Sequence, residues 1–293
     1  MQLFKRTSFR FIEKRKIFFG ISLTLMVLSV IFIIRGPNFG VDFVGGSLVQ
    51  INFSRDIPIQ NIRMVLGKHN LPKLDIQKFP NTSTVVIKIK SIENIDQKLK
   101  DVFTEEFPDN AFVVERKEMV GPVVGEYLKS RAVQAFLLSF AGIIVYVGIR
   151  FKGGVWGVAG VLALIHDVTI TFGFLCLLHK EITLVIIASL MTLAGYSVND
   201  TIVIYDRIRD NMKLHFKKPL NEIIDMSIND TLSRTIITSF TMMSILITLY
   251  LKGGPVMHDF SVSLLFGVVT GTYSSIFIAS PMVYMWLAKT KKK

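Results

Sequence analysis

Residues 155–178 read VWGVAGVLALIHDVTITFGFLCLL, an apolar run with a single carboxylate, Asp167, near its middle. A bilayer core of roughly 30 Å is crossed by about 20 apolar residues in helical form, so this stretch is long enough to span one. A charge at that depth costs about 2.5–3.5 kcal/mol on insertion scales, which makes Asp167 a residue that needs a reason. Gly160, Ala163 and Thr171 lie at helical spacing on its face. That spacing favours helix packing or hydration as the role of Asp167 over direct proton carriage. His166 beside it, and His179 after the run, read as packing and interfacial residues, since no second ligand stands at metal spacing.

Five more segments meet the same criterion, at about 17–35, 132–150, 182–204, 232–251 and 260–287. The whole chain is 51% hydrophobic and only 19% charged, with a mean hydropathy of +0.49. A soluble domain carries about 25% charged residues, so a single soluble domain and a disordered chain are both excluded. The lone Cys176 excludes a disulfide framework within the chain and a cysteine zinc cluster. The first segment follows basic residues, as a secretory leader does. Its apolar run is too long, and Arg35-Gly36-Pro37 ends it with no small-residue cleavage site, so an uncleaved anchor is expected.

The net charge of +12 is placed by topology. Lys5, Arg6, Arg10, Lys14, Arg15 and Lys16 precede the first segment, and Lys289, Lys291, Lys292 and Lys293 follow the last. Residues 205–231 hold five Lys/Arg, and Arg150 and Lys152 flank the second connection, whereas the alternate connections hold only Lys180 and Lys252. The positive-inside rule then places both termini in the cytoplasm and residues 36–130 outside it. Those residues balance 12 basic against 12 acidic side chains, which argues against nucleic-acid binding. The expected division is a basic tail over 1–16, a span over 17–35, an outer domain over 36–130, and a membrane domain with basic tail over 131–293.

Within 36–130 the apolar period alternates. Ser47–Phe53, Lys73–Phe79, Thr84–Lys90 and Ala111–Val120 read as strands, the middle two around Pro80-Asn81-Thr82-Ser83. Pro58–Asn70 and Asn94–Phe107 carry helical spacing. The order βαββαβ is that of a small α+β ferredoxin-like domain. It shows no nucleophile motif, phosphate loop or metal set, and its His69 reads as a surface residue. The fold class is thus an α-helical polytopic membrane protein with six transmembrane helices and one such extracytoplasmic domain, without metal or cofactor, and not an enzyme.

Two more ionisable groups lie at membrane depth. Asp200 stands four to six residues before the cytoplasmic end of the fourth segment, roughly 6–9 Å deep at 1.5 Å per residue. Arg234 opens the fifth, with Thr238, Thr241 and Thr248 continuing its face. Antiparallel neighbours bring such residues to similar depth, either as a static ion pair or as a titrating carboxylate gated by the Arg. Ser263, Gly267, Gly271, Ser275 and Ala279 recur every four residues in the sixth segment and mark a close-packing seam. Gly45-Gly46 reads equally as part of a hinge or as a tight turn that no side chain fits.

Four blocks carry a family resemblance. Phe39-Gly40-Val41-Asp42-Phe43-Val44-Gly45-Gly46-Ser47 follows the first segment, and Leu164-Ile165-His166-Asp167 lies in the third. Gly195-Tyr196-Ser197-Val198-Asn199-Asp200-Thr201, with Tyr205-Asp206-Arg207-Ile208-Arg209-Asp210-Asn211 after it, lies in the fourth, and Ser227-Ile228-Asn229-Asp230-Thr231-Leu232-Ser233-Arg234-Thr235 leads into the fifth. Together they resemble the SecD/SecF family of the bacterial protein-export apparatus, within the resistance-nodulation-division superfamily. Tyr205 and Asp210 stand where Phe and Glu are frequent. The resemblance implies half of a twelve-span unit, paired with a SecD-like six-span subunit. It also implies work beside the SecYEG translocon, with YajC and YidC as further partners, on exported polypeptides, driven by protons or sodium ions. Asp200 and Arg234 then fall on the family's ion-pathway positions. A small-molecule or lipid exporter subunit of the same superfamily, and a static scaffold, are the competing readings.

Overall fold

In the computed structural model, which describes residues 8–69, 71, 74–79, 82–89, 95–151 and 154–290, every long apolar segment is helical. Lys5, Arg6, Asn70, Lys73, Pro80, Asn81, Lys90, Asn94, Lys152 and Lys291 to Lys293 fall outside those residues. The chain divides into two units, residues 39–134 and the remainder.

The smaller unit follows two short elements, β1 (Asn38–Phe39) and the single turn α2 (Val41–Val44). It then runs β2 (Gly46–Phe53), α3 (Ile59–Lys68), β3 (Leu74–Lys78), β4 (Thr84–Ile89), α4 (Ile95–Glu106) and β5 (Phe112–Val120). The sheet order is β3-β4-β2-β5, every pairing antiparallel, which is the ferredoxin-like arrangement. Alternation on β2 buries Val49, Ile51 and Phe53 on the face that meets Ile62 and Leu66 of α3 and Leu99 and Phe103 of α4. The Phe53 and Phe103 rings meet edge to face at 5.4 Å. One register shift, at Gln50/Ile51, lets β5 follow the twist of β2.

The larger unit holds α1 (Arg15–Ile34), most of α5 (Pro122–Phe151), α6 (Gly154–Leu177), the two-residue β6 (Glu181–Ile182), α7 (Leu184–Leu214), α8 (Leu220–Lys252), α9 (Pro255–Ser274), a π-turn at Ser275–Ala279 and α10 (Ser280–Thr290). Its polarity is inverted relative to a soluble protein. Leu137, Leu138 and Ile149 are exposed, while Asp167, Ser274, Ser275 and Ser280 are fully buried. Only an apolar solvent makes that distribution stable, and the chain is a multi-pass membrane protein with six candidate spans.

Several helices outrun their apolar segments. α7 continues to Leu214 and α8 begins at Leu220, so only residues 215–219 separate them. The helical ladder continues there because polar side chains close across it: Arg207 donates from Nε and Nη2 to Asp230 at 2.9 and 2.7 Å. Hydropathy marks where the lipid stops, whereas backbone hydrogen bonding decides where the helix stops. The π-turn has a local cause. Pro281, directly after it, has no N–H to donate to Phe277 O, and the neighbouring Ser280 Oγ donates to Ser275 O at 2.8 Å.

Candidate functional site

α6, α7 and α9 meet along faces of small residues, and this close approach puts polar side chains inside the bundle. α7 and α9 run parallel with a constant offset of 74 residues. Ser189 Oγ donates to Ser263 Oγ at 2.7 Å, Thr201 and Ser275 share a bond of 2.8 Å, and Tyr205 donates to Ala279 O at 3.3 Å. Between these rungs, a Cβ on Gly267 would fall 2.7 Å from Leu193 Cδ2, and one on Gly271 would fall 3.1 Å from Ser197 Cβ. The four-residue spacing of Ser263, Gly267, Gly271 and Ser275 therefore lies against a matching row on α7.

Asp167 is tied into this interface. Ser197 Oγ and Ser274 Oγ donate to Asp167 Oδ2 at 2.5 and 2.7 Å, and His166 Nδ1 lies 2.9 Å from Oδ1. The residue is fully buried and both carboxylate oxygens are engaged. Thr171 and Thr270 extend the polar strip at 3.3 Å. His166 Nε2 is buried with no hydrogen-bond partner, its ring stacked on Tyr273 at 6.3 Å.

Asp200 sits differently. It is 4% exposed, and its Oδ2 has no hydrogen-bond partner. Arg234 is close enough to act on it electrostatically, yet the two form no direct ion pair, and Arg234 itself is exposed on α8. One turn before Asp200, Tyr196 donates to Ser239 Oγ at 3.2 Å, and Ser239 meets Thr272 at 2.7 Å. Thr238, Thr241 and Thr248 donate to carbonyls of their own helix, those of Arg234, Ile237 and Ser244, so this stripe is satisfied without a partner helix. Among the described residues no group of three His, Cys, Asp or Glu side chains is placed to hold a metal ion.

The bundle thus presents one carboxylate held by three neighbours and one left open beside an unpaired guanidinium. Ser274, Ser239 and Thr272 escaped the sequence reading. Ser274 lies one position off the four-residue row, and the other two are ordinary hydroxyl residues whose partners are 33 or more residues away.

The family model for the C-terminal region of the protein-export membrane proteins SecD/SecF matches residues 98–289. The chain belongs to the SecD/SecF family. The SecD/SecF GG motif matches residues 30–57. A protein translocase subunit SecF from Endomicrobium trichonymphae is 40% identical, covering 100% of this chain and 96% of that protein. Its counterpart from Calditerrivibrio nitroreducens is 40% identical over 94% of this chain and 93% of that protein. A crystal structure of SecDF from Thermus thermophilus, described as a translocon-associated membrane protein, is 33% identical with a TM-score of 0.86. It is matched over 96% of this chain and 39% of its own, so this chain spans about two fifths of the solved SecDF chain.

The SecD/SecF GG motif has a conformational basis. Gly45 and Gly46 have φ of 78° and 145°, which side chains with a Cβ rarely adopt. Gly45 N–H closes the α2 turn on Val41 O at 3.0 Å, directly before β2 begins. Gly40 precedes that turn, Asp42 lies in its first turn, and Phe39 and Phe43 meet edge to face at 6.0 Å. In the fourth-span block of this SecD/SecF chain, Ser197, Asp200 and Thr201 point into the bundle, whereas Gly195 and Asn199 are exposed. A Cβ on Gly195 would meet nothing within 4 Å.

Proposed function

We propose that this chain is one half of an ion-driven motor that promotes translocation of secretory proteins across the bacterial cytoplasmic membrane. Its mate is a SecD-like six-span subunit, and the pair acts beside the SecYEG translocon on exported polypeptides. The carrying observation is Asp200, buried with an unpartnered oxygen next to an unpaired Arg234. A carboxylate in that position can take up and release an ion, because no fixed donor holds it in one state. Asp167 is suited instead to joining α6, α7 and α9. The open, polar face of α7 at Gly195 and Asn199 suits a second subunit's helix, and the SecDF chain it resembles is more than twice as long.

A proton crossing about 100 mV releases roughly 2.3 kcal/mol, enough to bias a two-state motion of an outer domain. In this reading both termini are cytoplasmic and residues 36–130 lie outside. Reporters fused after residue 90 would then be extracytoplasmic and those at residue 215 cytoplasmic, and an extracytoplasmic residue 215 would overturn the topology.

The functional test is export of a secretory precursor into inverted vesicles, with and without an imposed ion gradient, at matched protein levels. Asp200→Asn should insert normally yet lose the gradient-dependent increment, since an amide cannot carry the ion. Arg234→Lys should be impaired as well, because an ammonium does not reproduce the planar guanidinium. If Asp200→Asn keeps the increment, Asp200 belongs with the packing residues.

A further inference from the structure

At the end of the bundle where α7 meets α8, a cleft of about 960 Å³ lies between the segment Ser8–Glu13, the last turns of α7 and the first turns of α8. It follows one face of α8 from Asn221 inward to Leu232 and Ser233. Near its inner end stands Asp230, held by Arg207 through two bonds and by Asn211 Nδ2 at 3.3 Å. All three bonds converge on Oδ2, and Oδ1 takes part in none of them. Arg234 is one helical turn deeper on the same row of α8, at the i+4 position from Asp230. Acid before base at that spacing is the favourable order for a helical ion pair. On α7, Asp200 lies seven residues before Arg207, about 10 Å deeper along the helix.

Arg234 therefore stands between two carboxylates. Asp200 is buried with one oxygen unpartnered, and Asp230 borders a water-accessible cleft with one oxygen outside its three bonds. We propose that Asp230 is the second docking point of Arg234, a positioning residue for ion coupling, and that the guanidinium moves between Asp200 and Asp230 as Asp200 loses and gains its ion. When Asp200 is neutralised it no longer attracts Arg234, which swings one turn toward the cleft onto Asp230 Oδ1. When Asp200 releases its ion, the guanidinium returns. No bond is made or broken apart from the ion's own transfer. An Arg side chain reaches far along its flexible stem, so the guanidinium can swing by a helical turn while the helix stays in place, and the Arg207 and Asn211 bonds hold Asp230 in one orientation throughout.

This inference rests on the export reading above, and its test separates the two. The full chain is expressed with its partner subunit, and the gradient-dependent increment of precursor export into inverted vesicles is read. Asp230→Asn should lose most of the increment, and Asp230→Glu should retain it. A charge exchange, Arg207→Asp with Asp230→Arg, restores an ion pair between α7 and α8 but removes the carboxylate from the Arg234 row. The exchange should remain as deficient as Asp230→Asn. If the exchange restores the increment, the pair is only a strut and the proposal is overturned. It is equally overturned if Asp230→Asn keeps the increment. An unaltered chain with no increment at all overturns the export reading itself.

Discussion

Ser197 Oγ donates to Asp167 Oδ2 at 2.5 Å, and three residues further along the same helix Asp200 keeps an oxygen with no partner. One helix thus separates a satisfied carboxylate from an unsatisfied one. A buried charge with its bonds complete stabilises the arrangement it sits in. A buried charge with bonds missing makes its arrangement less stable, and it favours any change that supplies a proton, a cation or a counter-charge.

Stability should separate the two. Asp167→Ala leaves the hydroxyls of Ser197 and Ser274 and the ring nitrogen of His166 without their acceptor, and should cost about 3–5 kcal/mol. Asp200→Asn removes an incompletely paired charge and should change stability by less than about 1 kcal/mol. Thermal unfolding of the purified chain in one detergent checks the ordering, and equal losses would contradict it.

His179 is the only described residue other than glycine with positive φ, at 52°, where α6 ends and Lys180 N–H bonds back to Leu175 O at 3.0 Å. The left-handed conformation costs a residue with a Cβ about 1–2 kcal/mol, and glycine avoids this at a smaller entropic cost. His179→Gly should therefore stabilise the chain by about 0.5–1 kcal/mol, visible as a higher melting temperature. His179→Ala should not.

Glu106 accepts from Lys68 Nζ at 2.6 Å and lies 3.1 Å from the His69 ring. The Lys68 hydrogen bond, followed by that of His69, holds the Glu106 carboxyl below its ordinary 4.5, and the same contact holds Lys68 above 10.5. A depressed carboxyl contributes stability that is full above its ordinary value and lost as pH falls through the depressed one. A raised ammonium contributes stability that is full below its ordinary value and lost as pH rises through the raised one. The pair is thus fully stabilising between these limits. Asp96, lowered by its hydrogen bond with Lys117, acts in the same sense on the acid side. Glu106→Gln should shrink the loss of thermal stability between neutral pH and pH below 4 without abolishing it.

Asn229 grips the N-terminal segment at two points: its Oδ1 accepts from Phe9 N at 3.1 Å and its Nδ2 donates to Phe9 O at 2.9 Å. One turn earlier in α8, Asp225 Oδ1 accepts from Ile12 N at 3.0 Å. Each such bond contributes about 1 kcal/mol. Asn229→Ala should release the segment and speed trypsin cleavage after Arg10 and Lys14 in the detergent-solubilised chain. Unchanged cleavage would mean that the Asp225 bond and the buried Phe11 and Ile12 hold the segment without Asn229.

Six spans, the alternating periods of the small domain and the four-residue row on the last span were legible from one-dimensional patterns. Hydrophobic runs, period and spacing are properties of neighbouring residues, and a bilayer or a sheet reads them directly. The order β3-β4-β2-β5 follows nearly as closely, since few chain paths connect those elements. The state of each intramembrane carboxylate was decided elsewhere. Asp167 and Asp200 are each the single acid of an apolar segment, and spacing favoured packing for the first without naming the partners of either. Asp167 is satisfied by Ser197 and Ser274, which are 30 and 107 residues away and brought to it by the parallel packing of α7 and α9. Asp200 finds no such donors, and Arg234, at matching depth, stays unpaired. Depth along a helix can be counted from the chain, but the direction a side chain faces and what meets it there depend on how the helices pack.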